Sequence, residues 1–334
     1  MRILFFSPYA GFWKHYIQDI VVADSLKKKH EVFFVGCNTD INFSCMYINS
    51  KTQINTINEN ERKKYCNDCI NKKKINLKKN KIFEISDYLN KNEYNDLCKK
   101  LENLSKEKIK NFCYKKINIG KIALYDFILL NKLNDINKID EKLWNNYLLH
   151  FKSTLKVTSS IDNLIKNNQF DLIITSNNLY SINQCVVKIA ELNNIKCLSI
   201  APGKNFFDRL SKISIFKPIL VNETEHHVKK WDQIDRNHIK IKDFDNLKNY
   251  IISLFESDHK MIYSPKVKKK VDFKFKFNPG NKKILVILSG ADENLSAIES
   301  GNDITSNHNY KRVFKDQLSW IEKLLNYAQN NLDK

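Results

Sequence analysis

Residues 2–26 read RILFFSPYAGFWKHYIQDIVVADSL, and this stretch decides the fold. Ile3 to Phe6 is a short, unbroken apolar run, the signature of a parallel strand covered on both faces. Pro8 and Gly11 punctuate a turn, and a helix follows from Trp13 to Leu26. Its expected apolar stripe is Trp13, Ile17, Ile20 and Val21, with His15, Gln18 and Asp19 on another. Strand, loop and helix in this order open a doubly wound α/β domain. Ligands of such sheets bind beyond the carboxyl ends of the strands, so the loop and first helical turn are the expected functional edge.

The rest of the chain extends the pattern unevenly. HEVFFVG at 30–36 is the second strand. Residues 37–81 interrupt the rhythm with polar, Asn- and Lys-rich sequence holding Cys37, Cys45, Cys66 and Cys69. A strand near 82–86 and helices near 87–110, 124–133 and 141–167 follow. DLIITSN at 171–177, a helix at 181–193 and KCLSIAPG at 196–203 restore the alternation, with a further strand expected at 218–221 and a helix at 223–231. Residues 264–281 read as an interdomain connection. KILVIL at 283–288 starts a second strand–loop–helix unit whose helix spans 316–329. The expected organisation is a Rossmann-like amino-terminal domain over 1–263 and the start of a second Rossmann-like domain over 282–334, incomplete where the chain stops.

The chain has 334 residues and 42% hydrophobic content, enough for two globular cores. A net charge of +19 points to nucleic acid, an anionic membrane surface or phosphorylated ligands, or else to a Lys/Asn/Ile-biased proteome. Arginine is sparse (Arg2, Arg62, Arg209, Arg236, Arg312), whereas nucleic-acid grooves pair arginine with aromatics, so no specific nucleic acid is expected. Nothing resembles a signal peptide or a membrane span, and eight cysteines in a cytoplasmic setting are thiols or metal ligands before disulfides.

Neither strand–loop–helix start carries G-x-G-x-x-G, nor does the chain hold a P-loop, which disfavours nicotinamide, flavin and P-loop ATPase chemistry. His15 is the candidate acid–base residue, with Asp19 one turn on to orient it; a surface histidine beside a surface aspartate is the competing reading. Cys37, Cys45, Cys66 and Cys69, spaced C-x7-C-x20-C-x2-C, suit a structural zinc site or, alternatively, inert buried thiols. Gly203, Lys204 and Asn205 follow a strand and are placed to line a ligand cleft. Asp292 and Glu293 are expected to face it from the second domain.

These stretches together resemble the GT-B glycosyltransferases of bacterial capsule and surface-polysaccharide biosynthesis. The carrying residues are 2–26, VFFVGCN with the cysteines after it, DLIITSN, KCLSIAPG, and KKILVILSGADEN at 282–294 leading to FKDQLSWIEKLL at 314–325. The resemblance implies sugar transfer from a nucleotide-sugar donor, without a catalytic metal, to a glycan or lipid-linked acceptor beside the inner membrane. His15 is then the base, and Gly11, Phe12 and Trp13 shape the acceptor side. An Arg/His motif that such proteins carry after the next strand is missing. A truncated, inactive glycan- or nucleotide-binding remnant is therefore the rival reading, and a basic nucleic-acid-binding protein a weaker one.

Overall fold

The computed structural model describes residues 1–41, 43–51, 58–176, 178–203, 209–218, 290–301 and 317–331, with 244, 245, 247–249, 252 and 314. Its centre is a six-stranded sheet. In chain order the strands are β1 (Arg2–Phe6), β2 (Glu31–Gly36), β3 (Lys81–Glu84), β6 (Leu172–Thr175), β7 (Lys196–Ala201) and β8 (Ser214–Phe216), with a small β4–β5 hairpin (Cys113–Tyr114, Ile117–Asn118) apart from it. The spatial order is β3-β2-β1-β6-β7-β8, parallel except for β8. The protein is thus an α/β, Rossmann-like fold. The chain winds outward from β1 through β2 and β3, then returns to β1's other side as β6.

Helices cover both faces. They are α1 (Trp13–Leu26), α2 (Met46–Asn49), α3 (Glu59–Asn76), α4 (Lys91–Glu102), α5 (Lys106–Lys110), α6 (Ile119–Asn131), α7 (Glu141–Asn167), α8 (Ser181–Leu192), α9 (Ala291–Glu299) and α10 (Gln317–Gln329). Leu4 and Phe6 point to one face, against α6, α7 and α8; Ile3 and Phe5 point to the other, against α1. All four are essentially buried, as the unbroken apolar run of β1 requires. Local chemistry fixes several ends. Asn58 and Glu61 form a reciprocal capping box on α3, and Asp140 caps α7 by accepting from Leu143 N at 2.8 Å. Gly120 lets α6 start against α5, because a Cβ there would lie 2.2 Å from the Lys110 carbonyl oxygen.

The helix spans at 141–167 and 181–193 and the strands at 172–175 and 196–200 fall where the sequence puts them. Helix α1 follows the expected stripe only in part: Ile20 packs against the core and Ile17 is half-buried, but the helix is rotated from it. Tyr16, Gln18, Asp19 and Ala23 face inward, while Trp13 and Val21 are exposed. The edge strand is β8 at 214–216, before the expected 218–221. Asp292 and Glu293 sit in the first turn of α9, which packs on α6. The expected helix at 223–231, connection at 264–281 and strand at 283–288 lie outside the described residues.

Candidate functional site

The sheet reverses its winding between β1 and β6, and doubly wound sheets hold ligands beyond the carboxyl ends of the strands at that point. Ser7 follows β1 there, and Thr175 ends β6. On the α1 face, Ser7 Oγ donates to Asp19 Oδ2 at 2.5 Å, and both residues are buried. Burial raises the Asp19 carboxyl to about 7 despite that hydrogen bond. Its other oxygen has no partner.

The opposite face mirrors this arrangement. Tyr9 Oη donates to Asn183 Oδ1 at 3.3 Å, and Asn183 Nδ2 donates to Thr175 Oγ1 at 3.0 Å. Asp126 of α6 accepts from the Ser181 amide at 3.3 Å through Oδ2, while its buried Oδ1 has no partner. Burial raises this carboxyl too, to about 7. Burial first and the Asp126 carboxyl second push the Tyr9 phenol upward. Tyr125 and Tyr180 meet edge to face at 6.0 Å beside the pair. Two carboxyls near neutrality thus flank the end of β1, one from each side of the sheet, and such perturbed groups gather at functional sites.

The expected residues are divided by this geometry. Asp19 turns to Ser7, whereas His15 stacks on Phe12 with ring centroids 4.5 Å apart. Burial, then Arg209 and Lys14, lower the His15 imidazole to about 4. Arg209 donates to the Lys14 carbonyl at 2.5 Å, to Gln18 Oε1 at 3.3 Å and to the Gly203 carbonyl at 3.3 Å. The segment after β7 is thereby tied to α1, with the Arg209 charge acting on His15. Lys204 and Asn205 lie outside the described residues. Gly11 is required where it is, since a Cβ would lie 2.4 Å from the Tyr47 ring; Trp13 faces solvent. Asp292 pairs with Lys132, the residue that follows α6, at 2.9 Å, and Glu293 lies within electrostatic reach of Tyr125.

Cys37, Cys45, Cys66 and Cys69 line one cavity of about 20 Å³. Among the described residues, no three His, Cys, Asp or Glu side chains are gathered as the ligands of one ion. Nor is any described helix long and apolar enough to cross a membrane.

Sequence reasoning missed Ser7, Tyr9, Asp126, Asn183 and Arg209. A signal existed for two of them. Ser7 is the first polar residue after the strand, and Asp126 is the lone acid in the apolar run 122–130.

No protein-family profile matches the chain, and no curated protein does. Solved structures do match. A CDPS from Fluoribacter dumoffii aligns at 12% identity over 59% of this chain and 88% of that one, with a TM-score of 0.39. AlbC, a cyclodipeptide synthase from Streptomyces noursei, aligns at 10% identity over 53% and 82%, with a TM-score of 0.31. Tyrosyl-tRNA synthetase from Archaeoglobus fulgidus, complexed with L-tyrosine, aligns at 13% identity over 67% and 59%, with a TM-score of 0.29. These matches are cyclodipeptide synthases and a tRNA synthetase, and they overturn the resemblance to GT-B glycosyltransferases. Sugar transfer, the nucleotide-sugar donor and capsule biosynthesis fall with it. So do the glycan or lipid-linked acceptor, its docking on an anionic membrane and the exclusion of a specific nucleic acid. The underlying error is physical: a parallel strand, a loop and a helix in series specify a Rossmann-like sheet, which hosts many unrelated chemistries. At these identities and TM-scores no activity passes to this chain.

Proposed function

We propose that the chain is a group-transfer enzyme that accepts an activated acyl group on Ser7, delivered by a polyanionic carrier such as RNA. The observation that carries this reading is the Ser7–Asp19 hydrogen bond at the carboxyl end of β1. A serine hydroxyl becomes nucleophilic when an adjacent base takes its proton. A carboxyl raised to about 7 is matched to that task near neutral pH.

Ser7 Oγ attacks the acyl carbon while its proton passes to Asp19. The bond to the carrier oxygen breaks, and that oxygen leaves with the proton from Asp19. The product is an acyl ester on Ser7, with Asp19 ionised again for the next transfer. Tyr9 and Asn183 border the same strand end and are placed to hold the substrate. The net charge of +19 favours a polyanionic carrier. All eight cysteines are free thiols, which suits a reducing compartment such as the cytoplasm.

The test uses tRNA charged with a radiolabelled amino acid, the carrier class that the compared synthetase's name suggests trying first. Label should appear on the protein as an alkali-labile ester, vanish in Ser7→Ala and fall at least about tenfold in Asp19→Asn, an energy of roughly 1.4 kcal/mol. Absence of label on the wild type, or undiminished label on Ser7→Ala, overturns the reading.

A further inference from the structure

Pro8, the residue after Ser7, forms part of the wall of a cavity of about 20 Å³. Ile41 of the loop after β2, Cys45 and Ile48 at α2, and Cys69 of α3 belong to the same wall. Several contacts join this cavity to the loop that carries Ser7. The Gly11 amide donates to Cys69 Sγ at 3.1 Å. The Tyr47 ring, also in the wall, packs so closely on Gly11 that a Cβ there would lie 2.4 Å from it. Cys45 and Cys37 act on the Tyr9 phenol, while Asp19 and Cys69 both act on the Tyr16 phenol. The cavity thus adjoins the strand end where Ser7 and Asp19 meet.

Its wall is apolar. Pro8, Ile41 and Ile48 offer hydrocarbon. Burial pushes the four thiols upward, that of Cys45 to about 12, so near neutral pH they stay uncharged. A buried thiol of this kind behaves as a small, polarisable hydrophobe. A charged group placed there would lose its hydration among hydrocarbon and neutral sulfur. Size restricts the occupant further. One water-sized group needs roughly 10–15 Å³ on this measure, so the cavity holds little more than a methyl group.

We propose that this cavity receives the side chain of the acyl group carried to Ser7 and selects a small apolar one, of the size of alanine's methyl. The inference rests on the reading of Ser7 as the acyl acceptor. A phenyl ring or a lysine chain overfills the space, and a close-packed wall resists that. Cys45 and Ile48 are then specificity-determining residues. Glycine has nothing to place in the cavity, so the glycine-to-alanine ratio reports on the cavity alone.

The test labels the full chain with tRNA charged with glycine, alanine, phenylalanine or lysine. Alanine should label at least about tenfold more than phenylalanine or lysine. Cys45→Met fills the cavity with a flexible side chain and should raise the glycine-to-alanine ratio about tenfold. That ratio is independent of how much of the variant folds. Label without preference for alanine, or a ratio unmoved in Cys45→Met, overturns the inference and leaves acyl transfer standing. If the wild type takes no label at all, the transfer reading falls and a binding measurement decides. Stable alanyl and phenylalanyl amides of 3′-amino-3′-deoxyadenosine are titrated calorimetrically into Ser7→Ala. Alanyl binding at least about tenfold tighter upholds the cavity's selectivity, and equal or absent binding of the two overturns it.

Discussion

Ser7 Oγ and Asp19 Oδ2 stand 2.5 Å apart, joining the exit of β1 to the second turn of α1 within the buried interior. The bond has a pH signature. The Asp19 carboxyl titrates at about 7 in the folded chain and near 3.9 when unfolded. The folded state therefore holds a proton that the unfolded state loses, and this contribution to stability is complete below pH ~4 and lost as pH rises to about 7. Asp19→Asn keeps an acceptor for Ser7 and removes the titration. Denaturant melts from pH 4 to 8 should show a shallower decline than wild type, with the variant more stable at pH 8. An unchanged slope would place the titration elsewhere.

Asp126 carries the same sign from the other face of the sheet, because its carboxyl is also raised to about 7. Asp126→Asn should flatten the decline by a similar amount, and the double variant should nearly abolish it. The two sites lie on separate helices against opposite sheet faces and should combine close to additively.

His150 works in the opposite direction. It is fully buried between Phe43 and Phe127, neither ring nitrogen has a partner, and burial lowers its imidazole to about 3. A depressed histidine stabilises above the unfolded value of about 6.5 and loses that contribution as pH falls toward 3. His150→Phe should make the protein more acid-resistant, by roughly 2–3 kcal/mol relative to wild type at pH 4. Melts at pH 4 and pH 7.5 measure the difference.

Gly120→Ala should be among the most damaging single substitutions. The new Cβ would lie 2.2 Å from the Lys110 carbonyl oxygen and 2.3 Å from that of Ile109, both backbone atoms with little freedom to yield. A loss of about 3 kcal/mol is expected. Gly301→Ala meets open space and should cost less, through its positive φ alone.

Arg209→Ala should release the Gly203 segment from the start of α1. Arg209 is one of the charges that depress His15, after burial, so the His15 imidazole should titrate above about 4 in the variant. A histidine-resolved NMR titration reads this directly. An unmoved His15 would leave burial and Lys14 as the sole causes.

Much of the scaffold was legible from periodicity. An unbroken apolar strand has few alternatives, and Glu141–Asn167 keeps its helical spacing over seven turns, so both were placed correctly. The face of α1 was legible only in part. Hydrophobicity assigned Trp13 and Val21 inward, but Ser7 gives buried Asp19 a partner, and Gln18 likewise accepts from Arg209. Ser7 lies 12 residues before Asp19 and Arg209 lies 191 after Gln18, so neither contact follows from the periodicity of α1. The Asp126–Ser181 contact spans 55 residues and was invisible for the same reason. The convergence of the four cysteines followed from their spacing only in part, since Cys37 and Cys45 lie outside any standard knuckle.

The winding order bears on how the chain reaches its native state. Strand β1 pairs on one side with β2, nearby in sequence, and on the other with β6, Ile3 opposite Leu172. During synthesis at about 5–20 residues per second, β6 follows β1 by roughly ten to thirty seconds. For that interval a strand whose Ile3, Leu4, Phe5 and Phe6 are all buried in the folded chain has one open edge, and the helices that cover it are only partly made. Contacts of such long sequence separation form slowly, and unpaired apolar edges favour aggregation. Nascent chains ending between residues 40 and 170 are therefore where a chaperone would matter most to this protein.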